Sequence, residues 1–323
     1  KKRRVTRRFD LYLQSGGEPS PQMVLKVLPF NSPSCVCFTT PFCQVHLGRA
    51  MMDGHTICVV IPAYNEEDHI GQVLETLPRF VDVAIVIDDG SLDSTFSNAE
   101  NAASNASVTV LQTDGIGVGG AIDLGHQHLL KTIEKPFISV VMAGDGQMDP
   151  ANLSEMIQPI LNKKADHVKG NRMMSPSDIV QMPKGRRRAS KILGWLTSLA
   201  SGRVITDPQC GYTATSSKLL NQWNWEKSWK SYGYPNYWLI QLSSMGYRVI
   251  DVPVKAVYGN EKSGIKPFKF FIRVGMMMTI EHHKRALKLL PKSIPMMLAF
   301  LAYMSGYLAI GFAFIQPVAI IGL

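Results

Sequence analysis

Residues 57–62, Ile57-Cys58-Val59-Val60-Ile61-Pro62, form an unbroken apolar run that is β-branched at four positions and stops at a proline. Three further runs share its texture: VAIVID at 83–88, VTVLQT at 108–113 and FISVVMA at 137–143. A strand covered on both faces reads this way, because both alternating sets of its side chains must be apolar. Each run is followed by a cluster of Gly, Asp or Asn and then by a helix-like stretch, over Glu66–Leu77, Leu92–Ser104, Val118–Lys131 and Pro150–Asn162. Short buried strands alternating with helices predict a doubly wound, mostly parallel α/β sheet. Ligands of such sheets bind beyond the carboxyl ends of the strands, so the loops after these runs are where chemistry is expected.

Those loops carry suitable residues. Pro62, Tyr64 and Glu66 follow the first run, and Asp88, Asp89 and Gly90 close the second. Adjacent carboxylates at a strand end followed by glycine suit contacts to a ribose and base, although the same four letters also make a turn and helix cap. The segment Gly115–Gly120 approximates the spacing of a phosphate loop but has no lysine of the Walker type, which makes that reading poor. After the fourth run, Asp145 and Gln147 stand two apart and in extended chain point the same way, offering two oxygens to a hard divalent cation.

The chain holds 34 Lys and Arg against 25 Asp and Glu, a net charge of +9. The excess is flanking. Residues 1–50 carry eight basic and two acidic residues, 262–292 carry eight and one, and 51–261 carry 18 and 22. An acidic body without a recognisable binding module argues against nucleic acid as a partner. A body of this size and apolar content buries a full core, which excludes whole-chain disorder. Five cysteines in 323 residues do not make a disulfide scaffold, and the grouping of Cys35, Cys37, Cys43 and His46 lacks the paired spacing of a structural zinc site. No apolar run near the first residue has the length of a secretory signal.

Four regions are expected: a basic, flexible arm over 1–55, a catalytic domain over 56–262, an amphipathic juxtamembrane segment over 263–292 and a transmembrane helix within 293–323. The last stretch has no charged residue. About 20 apolar residues cross a bilayer, so Ile294–Ile315 is long enough for one span, and 318–323 reads as the start of a second. The basic cluster from His282 to Lys292 before it places the body on the cytoplasmic side.

The set VVIPAYNEE (59–67), VIDDGSLDST (86–95), AGDGQMDP (143–150), KGNRM (169–173), SGRVITDPQCGYTA (201–214) and YGNEKSGIK (258–266) resembles inverting glycosyltransferases of family 2, which have the GT-A fold. It is most similar to the branch that moves a sugar from a nucleotide donor to a polyprenyl (dolichyl or undecaprenyl) phosphate. The resemblance implies a nucleotide-sugar site at Pro62, Tyr64, Glu66, Asp88, Asp89, Gly90, Asp114, Asp145 and Gln209, with Mg²⁺ or Mn²⁺ on Asp145 and Gln147. It implies catalytic roles for Asp207, as base or orienting group, and for Arg172, Arg186 and Arg188. Acceptor phosphate is expected at Arg187, Lys262 and Lys266, since arginine meets phosphate bidentately.

Expected partners are GDP-mannose, UDP-glucose or UDP-N-acetylhexosamine, a polyprenyl phosphate and a membrane; a homo-oligomer is compatible with the sequence. A phosphate monoester is already anionic, so less help from a base is needed than for a sugar hydroxyl. Two departures from the family pattern stand out. Ala143 occupies the place of an acid two residues before Asp145, and Pro235 and Tyr237 stand where acids often flank the asparagine. Two alternatives follow: a family-2 enzyme acting on a sugar hydroxyl, which the missing Gln-x-x-Arg-Trp motif disfavours, and a catalytically weak nucleotide-sugar-binding membrane protein. The aromatic residues of Trp223–Trp238 either stack on sugar, lie at an interface or pack in the core.

Overall fold

The computed structural model describes residues 23–26, 52, 54–174, 179, 182–255 and 267–289, with a few positions between 294 and 306. The four apolar runs form β2 (Thr56–Ala63), β3 (Val83–Asp88), β4 (Ser107–Gln112) and β5 (Phe137–Val141). They are joined by α1 (Ile70–Glu75), α2 (Thr95–Asn101) and α3 (Val118–Thr132). The first two helices are shorter than the sequence predicts, because the residues before them are turns held by side chains rather than helix. Then follow α4 (Leu153–Leu161), β6 (His167–Asn171), α5 (Lys184–Ser201), β7 (Thr213–Ser216), α6 (Ser217–Leu220), α7 (Tyr234–Ser244), β8 (Val249–Pro253) and α8 (Pro267–Leu289). Within the segment expected to be an arm, Met23–Lys26 forms β1, which pairs in parallel with β4.

The sheet order is β1-β4-β3-β2-β5-β7-β6-β8, and every pairing is parallel except those of β7 with β5 and β6. Alternate residues of β2 feed two cores: Ile57, Val59 and Ile61 face α1 and α4, while Cys58 and Val60 face α3. That two-sided burial is why the run contains no polar residue.

The reversed strand has a consequence for the site. Thr213, the first residue of β7, lies opposite Val141 at the end of β5 and opposite Lys169 within β6. The loop that enters β7, residues 207–212, therefore reaches the same edge of the sheet as the loops that leave the parallel strands.

Among the described residues no helix is long and apolar enough to cross a membrane. The expected span at Ile294–Ile315 lies almost wholly outside those residues, as do the beginning of a second span, the cysteine cluster, Lys262 and Lys266.

Candidate active site

Beyond β2 the chain turns through Asn65, at φ 54°. Asn65 N–H donates to Ser91 Oγ (2.9 Å), Leu92 N–H donates to Asn65 Oδ1 (2.9 Å), and Glu66 N–H donates to Thr95 Oγ1 (2.7 Å). The loop after β2 is thus laced to the loop after β3. The two adjacent carboxylates tie the end of β3 onward to β4 and the turn that follows it. Asp88, fully buried, accepts from Ser91 N–H (3.0 Å) and Gln112 Nε2 (3.2 Å). Asp89 accepts from Thr113 Oγ1 (2.7 Å), Ile116 N–H (2.7 Å) and Gly117 N–H (2.8 Å).

The glycine-rich turn before α3 is a seat for protein backbone. Gly120 N–H donates to the Lys230 carbonyl (3.1 Å), and a Cβ on Gly119 would lie 2.2 Å from the Trp229 carbonyl oxygen. With Asp89 and Lys230 taking N–H groups of the turn and the first helical turn, this helix start does not present the open donors of a phosphate loop.

A cleft of about 710 Å³ runs across the carboxyl edge of the sheet. Its lining includes Pro62, Glu66, Asp145, Gln147 and Tyr232. Asp145 Oδ1 accepts from Gln147 N–H (3.0 Å), which fixes the turn that carries both side chains. Ala143 also lines the cleft, so the place where an acid is expected faces the site without a carboxylate. Among the described residues no group of three or more His, Cys, Asp or Glu side chains is arranged to hold a metal. The donor set is instead one carboxylate and one amide oxygen, a fit for a hard cation that takes its remaining oxygens from a bound diphosphate. Burial, then the negative charges of Glu66, Asp145 and Asp89, pushes the Tyr232 hydroxyl above its ordinary pKa.

Arg172, Gly185, Arg186 and Gln209 also line it, together with the apolar Leu193, Val254, Phe270 and Phe271. Arg172 follows β6, and Arg186 stands in the first turn of α5. Gln209 is held by Asn236, which is fully buried and in turn donates to Thr197 Oγ1 of α5 (2.7 Å). Asn236 is therefore a structural clamp, and Pro235 at its side lines the cleft without offering an acid. Asp207 is fully buried against Arg172, with Arg172 Nη2 at 2.7 Å from Oδ1. Burial raises its pKa, but hydrogen bonds and charge from Arg172 outweigh that and hold the carboxyl below its ordinary value.

The structure thus gathers Pro62, Glu66, Asp145, Gln147, Arg172, Arg186 and Gln209 on one cleft. Tyr64, Asp88, Asp89, Gly90, Asp114, Arg187, Arg188 and Asp207 are not among its lining residues. Lys255, the second residue after β8, and Tyr232 also line the cleft, and no sequence motif marks either. A lone lysine after a short, half-buried strand carries no local signal. Of the aromatic stretch, Trp223 and Trp238 stack in the core at 3.9 Å, while Tyr232 and Tyr234 reach the cleft.

Residues 58–223, just over half of the chain, match the pattern of Glycosyl transferase family 2. The UDP-N-acetylglucosamine–dolichyl-phosphate N-acetylglucosaminyltransferase of Methanococcus voltae is 31% identical over 218 residues, covering 62% of this chain and 86% of that protein. The dolichyl-phosphate hexose transferase of Haloferax volcanii is 25% identical over 61% of this chain and 81% of its own length. Among solved structures, glucosyl-3-phosphoglycerate synthase from Mycobacterium tuberculosis, crystallised with Mg²⁺ and UDP, superposes with a TM-score of 0.50 at 21% identity. That superposition covers 72% of this chain and 79% of the other, and the likeness is one of fold.

Proposed function

The chain belongs to glycosyl transferase family 2 and is a glycosyltransferase; from that premise we propose that it moves a sugar, with inversion, from a nucleotide donor to a polyprenyl phosphate at the cytoplasmic face of a membrane. The carrying observation is the make-up of the cleft: among its described lining residues the only carboxylates are Glu66 and Asp145, which both bear on Tyr232, while Arg172, Arg186 and Lys255 supply three cations. A sugar hydroxyl needs a base beside it, whereas a phosphate monoester, with a second pKa of about 6, arrives ionised. The two relatives named for dolichyl-phosphate transfer support the same acceptor class.

In this reading Pro62 and Glu66 hold the nucleoside, and Asp145 and Gln147 hold Mg²⁺ or Mn²⁺. When bound, the cation neutralises charge on the departing diphosphate. Arg172, Arg186 and Lys255 bind and orient the acceptor phosphate. Its oxygen forms the bond to the anomeric carbon as the bond to the diphosphate breaks, and no proton has to leave the nucleophile. The donor is GDP-mannose, UDP-glucose or UDP-N-acetylhexosamine.

The membrane side of the proposal draws on α5 and α8. The first turns of both helices reach the cleft, and His282 Nδ1 and Arg285 Nη1 of α8 meet the Leu199 carbonyl near the end of α5 (3.0 and 3.2 Å). The helices therefore run side by side in the same direction. Their outward faces expose Ile192, Trp195 and Leu199 on one and Phe268, Ile272, Met276 and Ile280 on the other. Exposed apolar rows of this kind, amid Lys and Arg, suit a lipid interface. The uncharged residues 293–323 are proposed to anchor the chain beyond it.

The test is transfer of radiolabelled sugar from each nucleotide donor into organic-extractable lipid, with polyprenyl phosphate present or absent and with or without EDTA. Label is expected only with the lipid phosphate and without the chelator. Retained nucleotide binding with no transfer to polyprenyl phosphate overturns the proposal.

A further inference from the structure

Asp207 sits in a conformation that its neighbours impose. Its φ of 48° lies in the left-handed region, which costs a non-glycine residue energy and persists only where surroundings fix it. The fixing comes from β6. Lys169, fully buried, donates from Nζ to the carbonyls of Gly170 (3.2 Å), Thr206 (3.0 Å) and Asp207 (3.4 Å), and it pairs with Asp251 at 3.1 Å. Asn171 Nδ2 adds bonds to Thr206 Oγ1 (2.6 Å) and to Asp251 Oδ2 (2.7 Å). The turn is therefore pinned from below, and its carboxylate has one direction available.

That carboxylate is saturated. Oδ2 accepts from Arg172 N–H (2.9 Å) and Nε (2.8 Å), and Oδ1 accepts from Arg172 Nη2 (2.7 Å) and Ser190 Oγ (3.2 Å). A carboxylate offers about four lone-pair sites, so four donors leave none for a reacting proton. The pairing engages the guanidinium by its Nε edge and turns the opposite edge away from Asp207.

We infer that Asp207 is a positioning residue: it clamps Arg172 by one edge so that the other edge of the fork meets a phosphoryl group in the cleft, and it does not act as the base. The inference rests on the glycosyl-transfer reading above. The phosphoryl group belongs either to the donor diphosphate or to the acceptor. Ser190 ties α5, and with it Arg186, to the same carboxylate, so one buried acid sets two arginines relative to each other.

The experiment uses Arg172→Gly in the full chain, assayed with added guanidinium, and the same variant carrying Asp207→Asn. Guanidinium is expected to restore transfer in the single variant and to restore at least tenfold less in the double variant, because the seat that orients it is gone. An equal concentration of ammonium is expected to restore nothing, since a point cation does not bridge both carboxylate oxygens. Asp207→Asn alone is expected to lower kcat by about 100-fold while leaving the shape of its pH profile unchanged.

Equal rescue with and without Asp207, equal rescue by ammonium, or loss of the acidic limb in Asp207→Asn each overturns the inference. The ammonium comparison needs no Asp207 variant, so a folding defect of Asp207→Asn leaves it decisive. A raised KM for polyprenyl phosphate assigns the contact to the acceptor, and a raised KM for the nucleotide sugar assigns it to the donor. If the wild-type chain transfers no sugar at all, the functional reading fails. The clamp is then read from thermal stabilisation by inorganic pyrophosphate, expected to be lost in Arg172→Gly and regained with guanidinium only when Asp207 is present.

Discussion

Asp123 shows how burial and pairing compete at one carboxyl. On α3 it accepts from Lys230 Nζ (2.5 Å) and Ser228 Oγ (3.0 Å), which fasten the segment that delivers Tyr232 to the cleft. Burial pushes its pKa up to about 6, with Lys230 and Ser228 pulling the other way. The folded chain therefore holds this proton more tightly than the unfolded chain, whose carboxyl titrates near about 3.9. The carboxyl's contribution to stability falls as pH rises from about 4 to about 6 and is level above that. Urea unfolding across that window is expected to show the wild type losing on the order of 2 kcal/mol relative to Asp123→Asn, and a difference that does not move with pH refutes this. On the cleft, Ala143→Asp supplies a second carboxylate near Asp145. It is expected to tighten Mn²⁺-dependent binding of UDP or GDP by about tenfold in calorimetry, and Asp145→Asn to abolish the metal dependence. That Asp145 and Gln147 lie on the cleft was legible in the sequence, because they stand in the loop that follows a buried strand. Lys255 was not, because only its neighbours across the cleft give it a role.

Among the elements, the glycine-rich turn and the Trp229–Ser231 segment are complementary surfaces. A Cβ at Gly119 would meet the Trp229 carbonyl oxygen at 2.2 Å and at Gly117 the Lys230 carbonyl oxygen at 2.5 Å, and backbone cannot swing aside as a side chain can. Gly119→Ala is expected to cost about 1–3 kcal/mol in thermal or chemical unfolding and to raise KM for the donor as Tyr232 shifts. Gly275→Ala is the control. It lies within α8 with nothing inside 4 Å of the added Cβ, so it should be neutral or stabilising by about 0.5–1 kcal/mol. The strands were legible because a strand covered on both faces must be apolar throughout. The shortened α1 and α2 were not, since turns pinned by Asp93, Thr95 and Asn65 replace helix where the local pattern continues it.

At the scale of the whole molecule, α5 and α8 gather basic charge on one part of the surface: together they hold ten Lys and Arg against a single acid, Glu281. Polybasic surface near an apolar row binds anionic lipid and weakens with salt. Trp195→Asp and Ile272→Asp are each expected to reduce sedimentation with phosphatidylglycerol vesicles severalfold while leaving nucleotide binding intact. Equal binding to neutral vesicles would remove the electrostatic part of the argument. By itself the sequence determined the succession of strands and helices along the chain and the loops whose residues line the cleft, because each depends on neighbours a few positions away. Only the tertiary structure decided which of these residues share a cleft. The reversed β7 brings Asp207 to Arg172 across 35 positions, and Asp251 meets Asn171 across 80. Such contacts follow from sheet order and packing, which no local run of residues specifies.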